Sequence, residues 1–215
     1  MSMLQELHLT VVVENSAPFA NSSIWAQHGL SIFLDLDYGR ERMKLLLDTG
    51  ACPEVMLHNA DALHIDLSQL DLICLSHGHY DHTGGLMGVL ERTSRRVCIL
   101  AHPEIFAPKL KMQPSLRFIG PPFSRAEAEA AGGVMLDCLG PAAIAPDVMT
   151  TGEVARQEDF EKVEGFWTVK DGRYSEDSIP DDQALAIKIE GKGLAVITGC
   201  AHAGIINTIK HAQKI

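Results

Sequence analysis

The run Ser76-His77-Gly78-His79-Tyr80-Asp81-His82-Thr83-Gly84-Gly85 places three histidines and one aspartate within six residues. Imidazole nitrogens and carboxylate oxygens are ligands for borderline divalent metals: zinc first, with iron and manganese also suited. Gly78 lets the backbone turn tightly between His77 and His79, and the i, i+2 spacing can aim both rings at one ion. Asp81 and His82 then fall where a second ion could sit close by. A lone His-x-His would be read as a surface turn. Four ligand-type residues after the apolar run Leu70–Leu75 and before Gly84-Gly85 are read instead as a metal loop. A strand end supplies a rigid platform, and a helix start offers free N–H groups that favour negative charge.

The elements that must hold this loop follow from the hydrophobic pattern. Leu7–Val13 reads as a strand that Asn15-Ser16-Ala17-Pro18 ends, because proline removes a donor. A loop runs through Trp25, Gln27, His28 and Gly29. Leu30–Leu36 and Met43–Leu47 read as a hairpin around Tyr38-Gly39-Arg40, closed by Asp48-Thr49-Gly50. Val55–Leu63 is predicted as a short helix, Leu70–Leu75 as a buried strand, Leu86–Arg92 as a helix and Val97–Leu100 as a strand. This is α/β alternation. The proline-rich stretch from Pro103 to Gly140 reads as a loop-rich excursion, with a helical turn at Ala126–Ala131. Val148–Gly152 leads to Glu153 and Arg156. Ala184–Glu190 and Leu194–Thr198 pair across Gly191-Lys192-Gly193, and Gly204–Gln213 reads as a helix cut by the chain end. There is no repeat, low-complexity tract or linker, so residues 1–215 are taken as a single domain.

Composition narrows the function classes. Among 215 residues, 46% are apolar and 21% charged, the balance of a globular protein. The formal net charge is −10; with no excess of Lys and Arg to displace counter-ions, a nucleic-acid partner is not expected. A small substrate, phosphorylated or not, remains compatible. No apolar run reaches the ~18–20 residues of a membrane span, and Met1 to Leu9 carries no Lys or Arg, so no membrane partner or secretory signal is expected. Cys52, Cys74, Cys98, Cys138 and Cys200 are odd in number and widely spaced, which reads as reduced thiols in the cytoplasm.

The His-rich run with Leu46-Leu47-Asp48-Thr49-Gly50 upstream resembles the metallo-β-lactamase-fold superfamily. His28-Gly29-Leu30-Ser31, Thr151-Gly152-Glu153-Val154-Ala155-Arg156, Asp181-Asp182-Gln183-Ala184-Leu185 and Thr198-Gly199-Cys200-Ala201-His202-Ala203-Gly204 narrow the resemblance to one branch. That branch comprises metal-dependent hydrolases of the β-lactamase superfamily II, and includes the archaeal dihydropterin–ribofuranosylaminobenzene-phosphate synthases. The resemblance implies a four-layer αβ/βα sandwich with up to two divalent metals at one edge of the sheets. It further implies that His77 and His79 serve one metal, Asp81 and His82 the other, and that Asp48 orients the ligand loop without being a ligand. Relatives usually continue past the last helix with further strands and another ligand histidine, so the domain is expected to lack its C-terminal portion.

Other candidates come from the C-terminal half. His202 follows an apolar strand and precedes a helix, the same setting as the first motif, and is taken as a further ligand. Asp81 and His202 are the candidate catalytic residues. Cys200 falls where the superfamily often has a bridging aspartate; it reads as a thiolate ligand or as a buried structural cysteine. His28 reads as lining the cleft opposite the metals or as an exposed loop residue. Glu153 and Arg156 could meet a phosphate or a pterin, or form a surface ion pair. His102 is read as structural and Tyr80 as packing.

Three functions fit. The first is a binuclear metal-dependent hydrolase that activates water against an ester, lactone, amide or phosphoester bond. The second is a synthase-like transferase joining a dihydropterin diphosphate to an aromatic amine phosphate, as the resemblance implies. The third is an inactive metal-binding fragment. An edge strand left open could be covered by a second copy, so a homo-oligomer is compatible.

Overall fold

The structure, a computed structural model, describes residues 3–18 and 23–215. The loop expected after Pro18 falls partly on residues 19–22, outside the described residues. The chain opens with β1 (Glu6–Val13), β2 (Ser31–Asp37) and β3 (Arg42–Leu47), an antiparallel meander. After α1 (Pro53–Ala62), β4 (Leu72–Cys74) joins β3 in parallel. The short α2 (Tyr80–Thr83) and α3 (Leu86–Thr93) lead to β5 (Val97–Ala101), also parallel. β6 (Leu110–Lys111) and β7 (Arg117–Phe118) leave this sheet. α4 (Arg125–Ala130), closed by a capping box between Ser124 and Glu127, and β8 (Gly133–Asp137) return to it. The main sheet has the order β1-β2-β3-β4-β5-β8.

β9 (Ala142–Ala145) and β10 (Val148–Thr150) begin a second sheet. β11 (Trp167–Lys170) and β12 (Arg173–Glu176) pair with β6 and β7 in a small third sheet. β13 (Ala184–Ile189) and β14 (Gly193–Thr198) complete the second sheet in the order β14-β13-β10-β9, and α5 (Ile205–Ala212) follows. One expectation is corrected: the stretch from Pro103 to Gly140 has the expected helical turn as α4, but it also holds the sixth strand of the main sheet. α5 ends at Ala212, with the Gln213 N–H bonded to Ile209 O.

Side-chain alternation explains the layering. On β3, Leu45 and Leu47 face the second sheet, where they pack with Leu34, Leu36, Val148, Leu185 and Ile187. Leu46 faces the other way, with Ile73 and Ile99, toward Met56, Ala60, Leu86 and Val89 of α1 and α3. Strands buried on both faces are what a parallel arrangement requires. Beyond the second sheet, Ala212 and Ile215 border the face carrying Ala143, Met149 and Ala186. The order is helices, sheet, sheet, helix. Each fully buried leucine contributes about 2 kcal/mol of transfer free energy, and this core holds the ends of β3, β4 and β14 in place. Among the described residues no helix is long and apolar enough to cross a membrane.

Candidate metal centre

Three strand ends converge. β3 delivers Asp48, β4 delivers Ser76 to His82, and β14 delivers Cys200 and His202. The backbone between the first two histidines has no room for a side chain: a Cβ on Gly78 would lie 2.2 Å from Ile105 O. Gly29, at φ +128°, brings the N-terminal loop equally close, since a Cβ there would lie 2.1 Å from Asp81 O. The Leu30 N–H donates to the same carbonyl at 3.2 Å.

The imidazoles form one cluster with two overlapping groups of candidate ligands. His77, His79 and His202 each offer a ring nitrogen within 4.8 Å of the others. His77, His82 and Cys200 make a second group on the same criterion. His77 therefore belongs to both, a sharing the sequence did not indicate. His77 Nε2 and His79 Nδ1 are 2.9 Å apart, and His82 Nε2 is 3.0 Å from Cys200 Sγ. Cys200 is exposed, which corrects its reading as a buried structural cysteine.

Asp48 is fully buried and holds the loop from below. It accepts the Ser76 N–H and the Ser76 hydroxyl, each at 2.7 Å, and lies 2.7 Å from His82 Nδ1. Its left-handed backbone, φ +59°, is one aspartate tolerates. Asp81 Oδ2 is 3.2 Å from His28 Nε2 and 3.7 Å from His82 Nε2. His28 thus reaches the site while its side chain stays largely exposed.

Burial lowers the pKa of His77 well below the usual imidazole value, with His82 and His79 adding to the effect. It pushes His79 down to about 2 and His202 to about 4, the neighbouring rings contributing in each case. These rings are neutral at physiological pH, the state a ligand needs. At His82 burial acts in the same direction, but the Asp48 carboxylate outweighs it, and its pKa lies well above the ordinary value. Two observations fit a cation. The Nε2 atoms of His79 and His202 are buried with no hydrogen-bond partner, and buried polar atoms are normally paired. The donor set of imidazoles, a thiol and a nearby carboxylate is also that of zinc or iron.

The remaining candidates divide. Arg156 donates to His202 O at 3.2 Å, to Ile179 O at 3.1 Å and to Ser178 O, bracing the His202 loop. Glu153 is exposed, and its N–H bonds Leu139 O at 2.9 Å. His102 caps a short 3-10 turn through Nδ1, as a structural residue would. Tyr80 is exposed.

Several residues carried no role in the sequence reading. Phe166 lies 5.0 Å from His79 in a stacked arrangement and 5.1 Å from His202 edge-on, with Lys111 Nζ 3.5 Å above its ring. Beside it a cavity of about 610 Å³ is lined by Phe160, Lys162, Phe166, Cys200 and His202. Asp181 accepts the Gly78 N–H at 2.7 Å, and Asp182 accepts the Ala203 N–H at 2.8 Å. An Asp-Asp pair entering an apolar strand was the available signal for these two. Phe166 gave none.

Two packed sheets flanked by helices, with a histidine-rich loop at the strand ends, define the class. The chain belongs to the metallo-beta-lactamase superfamily, whose family model matches residues 39–204. Over 201 residues it is 34% identical to a 7,8-dihydropterin-6-methyl-4-(β-D-ribofuranosyl)-aminobenzene-5'-phosphate synthase of Methanocaldococcus jannaschii, covering 91% of this chain and 68% of that protein. It is 31% identical over 207 residues to an uncharacterized protein of the same organism, covering 96% and 74%. Among solved structures it superposes with a TM-score of 0.78 on Tm1679, described as a metal-dependent hydrolase of the β-lactamase superfamily. That match has 24% identity and covers 97% of this chain and 72% of that one.

Proposed function

We propose that this chain is a metal-dependent transferase of the dihydropterin-synthase type, joining a dihydropterin to a ribofuranosylaminobenzene phosphate. The observation that supports this reaction over hydrolysis is the 34% identity to the archaeal synthase across 91% of the chain. His77, His79 and His202 would hold one divalent cation, and His82 and Cys200, with Asp81 beside them, a second that shares the His77 side of the cluster. When bound, such cations supply Lewis acidity toward a phosphoryl or carbonyl oxygen and offset charge on a leaving group. Zinc or iron suits the thiol better than manganese does.

The chain's own residues do the rest. Asp48 fixes the orientation of His82. Asp81 would take the proton that the aromatic amine releases as its bond to the dihydropterin forms and diphosphate departs. Phe166 packs against two of the rings and forms part of the wall of the adjoining cavity.

Hydrolysis is the second reading, favoured by one observation: Cys200 is exposed and lines an open cavity, so water reaches the cluster. The test is incubation of the metal-loaded protein with a dihydropterin diphosphate and the aminobenzene phosphate, followed by mass spectrometry. The coupled product is expected. Turnover of esters or phosphodiesters without coupled product would replace this reading with the hydrolase. Neither activity in fully loaded protein would leave a metal-binding module.

A further inference from the structure

We propose that Lys109 is a positioning residue of the metal centre: acting through Asp181, it fixes the peptide of Gly78 that joins His77 to His79. The proposal rests on the metal reading of the histidine cluster given above.

Lys109 lies just before β6, and its side chain is only 1% exposed. Removing an ammonium from water costs several kcal/mol unless it is well paired. Here it is paired twice, with Asp181 Oδ1 and with Asp177 Oδ2, the latter at 3.3 Å. Asp181 is itself fully buried and turns its other oxygen onto the Gly78 N–H at 2.7 Å. Cation, carboxylate and peptide form a chain that ends between two ligand imidazoles. Charge-assisted bonds of this kind are the short, strong ones. The Gly78 peptide is also confined from the other side by Ile105 O.

The turn that carries these acids has a cost of its own. Ile179 is β-branched yet has φ +53°, and its N–H bonds Asp177 Oδ1 at 2.8 Å. Such residues persist only where the surroundings over-determine them. What the turn achieves is a three-residue strut. Asp181 reaches the His77–His79 loop, and Asp182 bonds the Ala203 N–H next to His202. Gln183 donates from its N–H to Ser76 O and from Nε2 to Leu75 O, each at 2.9 Å. One strut sets both halves of the imidazole cluster, and Lys109 anchors its first residue. An ion pair serving stability alone could be replaced by apolar packing at no loss; this one ends on the ligand loop.

Two variants test the role. Lys109→Met removes the anchor. Asp181→Ala leaves Lys109 with Asp177 as counter-ion, so no buried charge is left unpaired, while the link from Lys109 through Asp181 to Gly78 is lost. The readouts are cobalt(II) affinity, by competition with a chelator, and the visible absorption of the bound cobalt, which reports ligand geometry. Both variants should bind cobalt about ten- to a hundredfold more weakly, with altered spectra. A merely space-filling lysine would change the melting temperature and leave the spectrum unmoved. If Lys109→Met does not fold, Asp181→Ala decides. If neither folds, amide exchange at Gly78 in the wild-type protein decides: protection supports the link, and exchange as fast as an open loop overturns it. Wild-type protein that binds no cobalt overturns the metal reading and this proposal with it. Wild-type binding matched by both variants in affinity and spectrum overturns the role of Lys109 alone.

Discussion

His82 Nδ1 lies 2.7 Å from Asp48 Oδ2, and this contact leaves His82 Nε2 facing Cys200 Sγ at 3.0 Å. One buried carboxylate at the end of β3 thereby sets the direction in which an imidazole of α2 presents its free nitrogen. Outer partners of this kind hold the ring orientation of ligand histidines and raise their basicity.

Asp48→Ala should therefore act on folding and on metal together. It leaves the Ser76 N–H, the Ser76 hydroxyl and His82 Nδ1 without their buried acceptor. Each unsatisfied buried group costs about 1–3 kcal/mol, so denaturant titration should show a loss of several kcal/mol. Metal affinity at the His82 side should fall by about ten- to a hundredfold. A variant with wild-type stability and affinity would remove Asp48 from this role.

The sharing of His77 makes a prediction about stoichiometry. His77 belongs to both ligand groups, whereas His202 belongs to one and Cys200 to the other. Elemental analysis of protein purified without chelator should find His77→Ala depleted at both positions. His202→Ala and Cys200→Ala should each lose about one ion per chain, the other site retaining its ligands. Equal loss in all three variants would argue for a single ion held by the whole cluster.

The glycine contacts predict which backbone positions tolerate no change. Gly29→Ala places a methyl group 2.1 Å from Asp81 O at a φ of +128° that alanine rarely adopts. Overpacking and backbone strain together should cost about 3 kcal/mol or more. The displaced loop should also carry His28 away from Asp81. Thermal melting and metal content measured on the same sample check this, and a melting temperature within a degree or two of wild type would contradict it.

Much of the candidate cluster is legible in the sequence. His77, His79 and His82 announced themselves because ligand chemistry needs rare residue types at short spacing, and His202 because it repeats the setting of a strand end before a helix. The resemblance implies an orienting role for Asp48, and the structure gives it three partners. Leu45–Leu47 and Ile73 were legible as strand because both faces of the sheet are buried. β8 was not: its five residues begin at Gly133 and show no alternation, and only pairing with β5 makes them a strand. Lys109 was invisible, since a lysine between Pro108 and Leu110 reads as solvated until Asp177 and Asp181 arrive from about seventy residues away. The contacts of Arg156 are hidden for the complementary reason: its partners are backbone carbonyls, which carry no sequence signature.

Asp182 gives the clearest pH dependence. It is 3% exposed, and burial raises its pKa to about 6, against the opposing pull of the Ala203 and His202 backbone N–H groups. An unfolded aspartate titrates near 3.9. Below about pH 4 both states hold the proton, and Asp182 makes no difference to stability. Between about pH 4 and 6 the unfolded chain has released the proton and the folded chain retains it, so stability falls as pH rises. Above that range both are ionised and the penalty is constant, about 3 kcal/mol. Asp182→Asn keeps an oxygen for the Ala203 N–H and has no charge to bury. Its unfolding free energy minus that of wild type, both measured with chelator present, should rise by about 3 kcal/mol from pH 4 to 6.5 and then level off. The opposite slope would mean that the folded protein stabilises the carboxylate, and that the two backbone donors outweigh burial.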